Sequence, residues 1–319
     1  MDTISIPLSV YYHGSTLASL VSKLRPGPEC FRCLLSTRLR EIEESRLSDE
    51  EKVALMKKIT GRLVKEFDLF AELTNLASEL FREVVNGAPG VLDFYKVIKA
   101  SSMRRALETI PVHERVVNNL SEVEKFRYMV KLSALGNLID YGVQGHNPKD
   151  MILPEDVFSA QFAVDEVEVF YRHVEKGGET VVWLFDNSGE AVYDTILIRY
   201  IRQLGNRVVG VVKEEPGFQN DVTISDLLEA GIDLALDDLV AYKGGHSTVH
   251  NEIIDDNLRS LLKTSLVVAK GMAHYEYLYD SDLVTRIVFI LVPKCSRVAS
   301  TIAPGSREKI VVKTRGLSV

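Results

Sequence analysis

The sequence predicts an α/β protein in which a helical N-terminal region precedes a layered domain built on a largely parallel sheet. Apolar residues at helical spacing dominate the first 150 of the 319 residues, where strand-like runs are scarce. After residue 150, short runs of β-branched apolar residues alternate with helical stretches. That alternation is typical of parallel strands that are buried on both faces and joined by helices.

The first half of the chain contains several helix signals. Residues 30–44 place leucines and an isoleucine near one helix face. Ser48 and Glu51 form a capping-box pattern ahead of another amphipathic stretch, which predicts a helix start. Further helices are predicted over residues 69–85, 94–109 and 122–142. Segment 147–154 contains two prolines and several polar residues, which are typical of a break between elements. It is the predicted boundary, so we expect a helical domain over 1–150 and an α/β domain over 151–319.

The second half is predicted to open with a helix over residues 164–176, ended by Gly177 and Gly178. The predicted strands are residues 180–185, 207–212, 265–269 and 286–292, with an edge strand over 309–313. Helical periodicity over residues 191–204 and 251–263 supplies the connections between strands.

The composition excludes several functional classes. The chain is 46% hydrophobic and 26% charged, as expected for a globular protein rather than a disordered or fibrous one. Its 45 acidic residues outnumber 38 basic ones, and the net charge of −7 with no basic stripe argues against a nucleic-acid partner. No stretch reaches the roughly 20 apolar residues that span a bilayer. The N-terminal residues lack a secretory signal pattern and the three cysteines are sparse, so we expect a cytoplasmic protein without membrane attachment.

Polar residues lie in the segments that follow three of the predicted strands. Because the carboxyl ends of parallel strands meet at one edge of a sheet, where ligands bind in open α/β folds, we expect these residues to lie together. They are Asp186, Asn187, Ser188, Gly189 and Glu190 after the first strand, Asn220 and Asp221 after the second, and Lys270, Gly271, His274 and Glu276 after the third.

The chemistry of this set suits a divalent cation beside a phosphate. Asp186, Asn187 and Asp221 offer hard oxygen ligands of the kind that Mg²⁺ or Mn²⁺ prefers. Lys270 would supply a point charge for the phosphate, and the helix after Gly189 would present free backbone N–H groups. Each motif also has a plainer interpretation as a turn, helix cap or strand end, and that alternative stays open on the residues alone.

These motifs together resemble the metal-dependent damage-control phosphatases, long classified as domain of unknown function eighty-nine. The resemblance covers nearly the whole chain in the family's order. It rests on Asp186 to Glu190 with Asp194, on Asn220, Asp221 and Thr223 continuing to residues 230–233, and on Lys270, Gly271, His274, Tyr275 and Glu276. In the N-terminal half it includes Cys30, Cys33, Asp93, Phe94, Tyr95, Lys99, Gly136, Asn137, Asp140, Tyr141 and Gly142.

The resemblance implies a helical region packed on a Rossmann-like α/β/α domain and a single divalent ion (Mn²⁺, Ni²⁺, Co²⁺ or Mg²⁺) held by Asp186, Asn187 and Asp221. It further implies hydrolysis of small phosphate monoesters, such as sugar phosphates or damaged metabolites, by water that the metal activates. Lys270, Gly271, His274, Ser188 and Gly189 would hold the phosphate. Glu190 and Glu276 are expected to support the ligands. The Cys-x-x-Cys motif is similar to that of the short archaeal and bacterial branch.

Two features of this chain depart from the family pattern. His274 stands where the family has Asn, and residues 216–220 form a segment one residue longer than is typical. His274 could therefore add a titratable group beside the phosphate. Both departures concern the choice of substrate more than the metal site.

Other residues favour structural roles. Cys30 and Cys33 open a helix and lack the four ligands of a structural zinc site, which favours partly buried thiols. His246 and His250 have helical metal-ligand spacing, but they lie in a glycine-rich segment and are interpreted as loop residues.

Two alternative functions remain. An S-adenosylmethionine-dependent carboxyl methyltransferase would use a similar sheet, although no early glycine-rich strand–loop–helix supports it. A non-catalytic protein that binds phosphorylated metabolites would use the same loops. The leading prediction is a metal-dependent phosphomonoester hydrolase.

Overall fold

The N-terminal half of the chain is helical, as predicted. The computed structural model describes residues 24–139 and 149–318. The N-terminal segment, residues Asp140, Tyr141 and Gly142, and the start of the predicted boundary lie outside these residues. The first six helices are α1 Pro28–Glu43, α2 Asp49–Glu66, α3 Leu73–Gly87, α4 Val91–Asn118, α5 Glu122–Gly136 and α6 Pro154–Ser159.

Local sequence signals set several of these helix starts. Ser48 caps α2 through a complete capping box, in which the Glu51 backbone N–H donates to Ser48 Oγ and Ser48 N–H donates to Glu51 Oε2. Ser121 and Glu124 cap α5 with the same pattern. Helix α4 continues past the predicted end at residue 109, with Pro111 inside it.

The second half alternates strands and helices, which confirms the predicted α/β class. Seven strands form one sheet in the order β1-β7-β6-β5-β2-β3-β4, and only the β6–β7 pair is antiparallel. The strands are β1 Phe162–Asp165, β2 Thr180–Leu184, β3 Arg207–Lys213, β4 Asp238–Tyr242, β5 Leu266–Lys270, β6 Arg286–Leu291 and β7 Ile310–Arg315. The helices are α7 Val167–Val174, α8 Ser188–Gln203, α9 Ile224–Glu229, α10 Asp256–Thr264, α11 Gly271–Leu278 and α12 Ser296–Ile302.

The two outermost strands differ from the sequence prediction. The helix predicted over residues 164–176 is wrong at its start, because Phe162–Asp165 pairs with β7 and α7 begins at Val167. Strand β4 was not predicted at all. Both are edge strands of four or five residues that are only partly buried. Because they are short and only partly buried, they give a weaker strand signal than the central strands, which are covered on both faces.

The sheet lies between two helical layers. Alternate residues of the central strands point to opposite faces, as Val181 and Trp183 do against Val182 and Leu184 in β2. One face is covered by α5, α7 and α8, and the other by α10, α11 and α12. Side chains of α4 and α5 belong to the hydrophobic core on the first of these two faces. The side-chain packing therefore continues across residue 150. The predicted domain division there stays a prediction.

A third core lies within the first three helices and the start of α4. It contains Ile42, Leu63, Leu80, Phe81 and Tyr95, together with Phe218 from the loop after β3. We call α1–α3 and the first turns of α4 the helical cap. No helix in the described part of the chain has the length and apolar character to cross a membrane.

Candidate active site

The strand-end residues predicted from the sequence meet at the carboxyl edge of the sheet, where the helical cap covers them. Strands β2, β3 and β5 are mutually parallel, so their following loops open on one side. A cavity of about 320 Å³ lies between this edge and the cap. Its lining includes Asp186, Asn187, Asp221, Met272, Ala273, Glu276, Lys294 and Cys295 from the sheet side, and Cys30, Cys33, Leu34, Thr37, Arg38 and Thr74 from the cap.

Backbone hydrogen bonds fix the three candidate metal ligands relative to one another. Asp186 follows β2, and Asn187 is the N-cap residue of α8. Asn187 and Asp221 form an antiparallel bridge, and the Val222 N–H donates to the Asp186 carbonyl at 2.9 Å. Asp186 is 7% exposed, Asn187 1% and Asp221 6%. Their oxygens are thus held at the floor of the cavity by the fold itself.

Asn137 orients one of these carboxylates. Its Nδ2 donates to Asp186 Oδ2 and to Glu190 Oε2, both at 3.0 Å, and Asn187 Nδ2 donates to the same two oxygens at 2.9 and 3.1 Å. From the sequence alone, the pattern at Gly136 and Asn137 favours a role in helix packing. The structure adds a polar contact between the end of α5 and the site.

The donor set fits a hard divalent cation. Two carboxylates and one amide line the same cavity, where Asn187 Oδ1 accepts from Asn220 Nδ2 at 2.9 Å. The buried Asn220 Oδ1 beside them has no hydrogen-bond partner among the described residues. Within residues 24–139 and 149–318, no cluster of three His, Cys, Asp or Glu side chains is arranged to hold a metal.

Lys213 is a cation that the sequence interpretation did not assign to the site. Its buried ammonium lies 3.0 Å from Asp221 Oδ2. Burial would lower the pKa of Lys213, but the charges of Asp221, Tyr242 and Asp186 outweigh that effect and the pKa is raised. Lys213 therefore stays charged and neutralises part of the carboxylate pair. In the sequence, the feature that could have identified Lys213 as a site residue is its position at the end of β3.

Lys270 contacts carboxylates rather than the cavity. Its fully buried Nζ lies 2.5 Å from Glu190 Oε1 and 3.1 Å from Asp194 Oδ1, and it donates to the Ser133 carbonyl at 2.9 Å. Burial opposes the charged form, yet Asp194 and Glu190 raise the pKa of Lys270 overall. These three contacts engage all three donors of the ammonium. In this arrangement Lys270 acts on the site through Glu190, not through a direct phosphate contact.

The other predicted phosphate-binding residues lie behind the cavity wall. Both the N–H and the hydroxyl of Ser188 donate to the Asn220 carbonyl at 3.0 Å. Gly189 packs against Ser102. His274 is fully buried, with Nδ1 2.7 Å from Thr248 Oγ1 and Nε2 3.2 Å from the Phe185 carbonyl. Burial lowers the pKa of His274 to about 3, so the ring is neutral and does not titrate near neutral pH.

Gly271 joins α11 to the floor of the cavity. It adopts φ +76°, a conformation that favours glycine, and a Cβ atom there would lie 2.0 Å from Asp186 Oδ2. The first turn of α11 therefore begins directly against Asp186. From there Met272, Ala273 and Glu276 continue along one wall of the cavity.

All three cysteines line the same cavity, as reduced thiols. Cys30 and Cys33 lie in the first turns of α1, as predicted, and Cys295 is the N-cap residue of α12. Burial raises the pKa of Cys30, and it raises that of Cys295 to about 11. Cys30 and Cys295 are therefore neutral side chains at neutral pH, typical of packing rather than nucleophilic residues.

The two histidines of the glycine-rich segment lie in a loop against the cap. His246 contacts Arg82, and His250 contacts Thr74 at 2.8 Å. Burial lowers the pKa of His246 to about 3, with the Arg82 charge acting in the same direction. They hold the cap to the sheet edge, in keeping with the structural interpretation.

A cavity at the carboxyl edge of a mostly parallel sheet, covered by a helical cap, places the chain among the α/β proteins that bind ligands at their strand ends. Residues 27–310 match the family model of the damage-control phosphatase ARMT1-like domain, and the chain belongs to that family. The family predicted from the motifs is thus confirmed. Membership of its Cys-x-x-Cys branch stays a prediction.

Several archaeal proteins are similar to this chain. A damage-control phosphatase of Archaeoglobus fulgidus is 32% identical over 229 residues, which cover 72% of this chain and 78% of the relative. A damage-control phosphatase of Pyrococcus horikoshii is 26% identical over 275 residues, covering 85% and 92%. The crystal structure of a DUF89 family protein from Pyrococcus horikoshii superposes with a TM-score of 0.75 at 25% identity, covering 90% of this chain and 98% of that one.

Proposed function

We propose that this protein is a metal-dependent phosphatase that hydrolyses small phosphate monoesters, such as sugar phosphates or damaged phosphometabolites. The observation that carries the proposal is the convergence of Asp186, Asn187 and Asp221 on one cavity in a member of the damage-control phosphatase family. Relatives that carry the name damage-control phosphatase support the reaction class.

In this proposal Asp186, Asn187 and Asp221 would hold one divalent ion, namely Mn²⁺, Ni²⁺, Co²⁺ or Mg²⁺. The ion supplies electrophilic polarisation of the phosphoryl oxygens and a lowered pKa for the attacking water. Asn137 fixes the direction of the Asp186 carboxylate, and Lys213 limits the repulsion between Asp186 and Asp221.

The phosphoryl group would also meet the N-terminus of α11. Its first turn begins at Gly271 against Asp186, and free N–H groups at a helix N-terminus favour an anion. Helix α1 closes the opposite side of the cavity with Leu34, Thr37 and Arg38. These cap residues are therefore the ones that would contact the part of the substrate that leaves as an alcohol.

The test is phosphate release from p-nitrophenyl phosphate by protein stripped with a chelator and reloaded with each metal. Asp186→Asn keeps the volume of the side chain but removes one ligand charge. We expect turnover that depends on added metal and falls by at least about 100-fold in the variant. Isothermal titration calorimetry with Mn²⁺ should show the matching loss of affinity.

Asp238→Asn is the matched control, because Asp238 lies at the start of β4, on the opposite edge of the sheet from the cavity. It should retain both turnover and metal binding. Full activity of metal-reconstituted Asp186→Asn would contradict the ligand assignment. One bound metal equivalent without turnover on a panel of phosphate esters would instead favour the non-catalytic binding protein, and S-adenosylmethionine would then be the next ligand to test.

A further inference from the structure

We propose that Glu276 is the general acid that protonates the leaving oxygen of the substrate. This assignment rests on the proposed phosphatase function and names a catalytic residue for it. Sequence motifs placed Glu276 only among the residues that support the metal ligands. Its position in the cavity points to a direct part in the reaction.

The first argument is the placement of Glu276 relative to the candidate metal ligands. Helix α11 starts at Gly271 against Asp186, and Met272, Ala273 and Glu276 line the cavity from the same helix face. Five residues of helix advance about 7.5 Å along the axis. Glu276 therefore lines the cavity about 7.5 Å along α11 from Gly271, and in this proposal the ester oxygen of a bound phosphate lies beside its carboxyl.

The second argument is that the Glu276 carboxyl is not committed to another group. Among the described residues it takes part in no hydrogen bond and no ion pair. Glu190, by contrast, is fully used by Lys270, Asn137 and Asn187. Glu276 is thus a carboxyl group of the cavity wall that is available for proton transfer, because no hydrogen bond or ion pair engages it.

The third argument is that Glu276 keeps its proton while Glu72 is ionised. Glu72 caps α3, where its carboxylate accepts from the N–H groups of Thr74 and Asn75. Burial works against ionisation of Glu72, but contacts with His250 and Thr74 prevail and hold its pKa below the usual value. Burial and the Glu72 charge raise the pKa of Glu276 to about 8. One carboxyl group therefore stays ionised while the other keeps its proton, a pattern typical of acid–base sites.

The other groups that face Glu276 do not reverse this result. Cys30 from α1 and Cys295 before α12 both interact with it electrostatically, and burial keeps both thiols neutral. Apart from the candidate metal ligands, the other charged residues of the cavity wall do not lower the pKa of Glu276; they are Glu29, Arg32, Arg38, Lys294 and Arg307. Arg38 is paired with the buried Glu41 at 2.9 Å.

The proposed step conserves atoms and charge. The oxygen of water forms a bond to phosphorus while the bond from phosphorus to the ester oxygen breaks, and the bonding electrons stay on that oxygen. Glu276 transfers its proton there, which gives the free alcohol. The proton lost by the attacking water restores Glu276 through solvent, and the other product is hydrogen phosphate.

The test compares two leaving groups in Glu276→Gln. An alkyl phosphate, glycerol phosphate, needs protonation of its leaving oxygen, whereas p-nitrophenyl phosphate releases a stable phenolate. We expect kcat/KM for glycerol phosphate to fall about 10²–10⁴-fold and that for the aryl ester to change less than about 3-fold. Equal losses on both substrates, or no loss on either, would overturn the assignment.

Two further measurements keep the test independent of the folding of that variant. In the unsubstituted protein the ratio of alkyl to aryl kcat/KM should fall as pH rises through about 8, because the acid form of Glu276 is lost there. Glu72→Gln should move this fall to lower pH. Glu229→Gln, which removes an exposed charge of α9 that lines no part of the cavity, should leave it unchanged. A ratio that is flat with pH would contradict the proposal.

These outcomes separate this assignment from the proposed function. Metal-dependent turnover of the aryl ester establishes the phosphatase whether or not Glu276 is its acid. If no metal supports aryl ester turnover by the unsubstituted protein, the proposed function fails, and the role of Glu276 fails with it.

Discussion

At the scale of single residues, the buried cluster of Lys270, Glu190 and Asp194 shows how charge supports the site without facing it. Asp194 accepts from Ser133 Oγ at 2.6 Å and from Trp183 Nε1 at 3.0 Å, so each charge in the cluster has a partner. Burial still raises the pKa of Asp194 to about 6, because Lys270 compensates it only in part. Removing the one cation would leave two buried carboxylates opposed to each other.

Lys270→Met should therefore lower the free energy of unfolding by about 3–5 kcal/mol at pH 8. The loss should shrink as pH falls below about 6, because Asp194 then folds in its protonated form and the repulsion between the two buried carboxylates is relieved. Urea unfolding at several pH values measures the effect. Lys263→Met removes an exposed lysine of α10 and should cost less than about 0.5 kcal/mol. A cost for Lys270→Met that does not vary with pH would show that packing, rather than charge, stabilises this region.

The residue scale also shows what the sequence could predict of the site. Asp186, Asn187 and Asp221 were found because each lies in the segment that follows a strand, and strand order brings such segments together. Strand order could not predict the direction of the Lys270 side chain. That direction depends on Glu190 and Asp194, which lie one helical turn apart on α8 and face the sheet. The role of Asn137 depended likewise on a contact between helices distant in sequence.

At the scale of elements, α5 and α8 approach closely where the site is built. A Cβ atom at Gly136 would lie 3.1 Å from the Glu190 Cα and 3.3 Å from the Tyr193 ring. Gly136 precedes Asn137, so the close approach also sets how far the Asn137 amide reaches toward Asp186. The glycine pattern in the sequence indicated the packing but not this consequence.

Gly136→Ala should push the two helices apart and cost about 1–3 kcal/mol of unfolding free energy. It should also weaken Mn²⁺ binding, because Asn137 would move away from Asp186. Gly61→Ala is the matched control. Gly61 lies inside α2 with no atom within 4 Å of an added Cβ, so the substitution should stabilise the protein by about 0.5–1 kcal/mol. Calorimetric titration and urea unfolding measure both effects, and unchanged Mn²⁺ affinity in Gly136→Ala would contradict the positioning argument.

At the scale of the whole molecule, the loop after β3 ties the helical cap to the candidate metal site. Phe218 is part of the cap core, with its ring 4.9 Å from that of Phe81. The next residue, Gln219, donates to Glu41 Oε1 at 3.2 Å, and Asp221 follows two residues later. The cap therefore sets the position of a candidate ligand as well as the shape of the cavity.

Phe218→Ala tests this connection. Loss of a buried aromatic ring should lower the free energy of unfolding by about 3–5 kcal/mol, and freeing the loop should reduce Mn²⁺ affinity as well. Since a ligand at 100 times its Kd stabilises a protein by about 2.7 kcal/mol, the metal-induced rise in Tm should be smaller in the variant at equal Mn²⁺ concentration. Phe158→Ala removes a ring that is 59% exposed and packs on Tyr128, so its Mn²⁺-induced rise should match that of the unsubstituted protein. A full metal-induced rise in Phe218→Ala would mean that the sheet edge holds Asp221 without help from the cap.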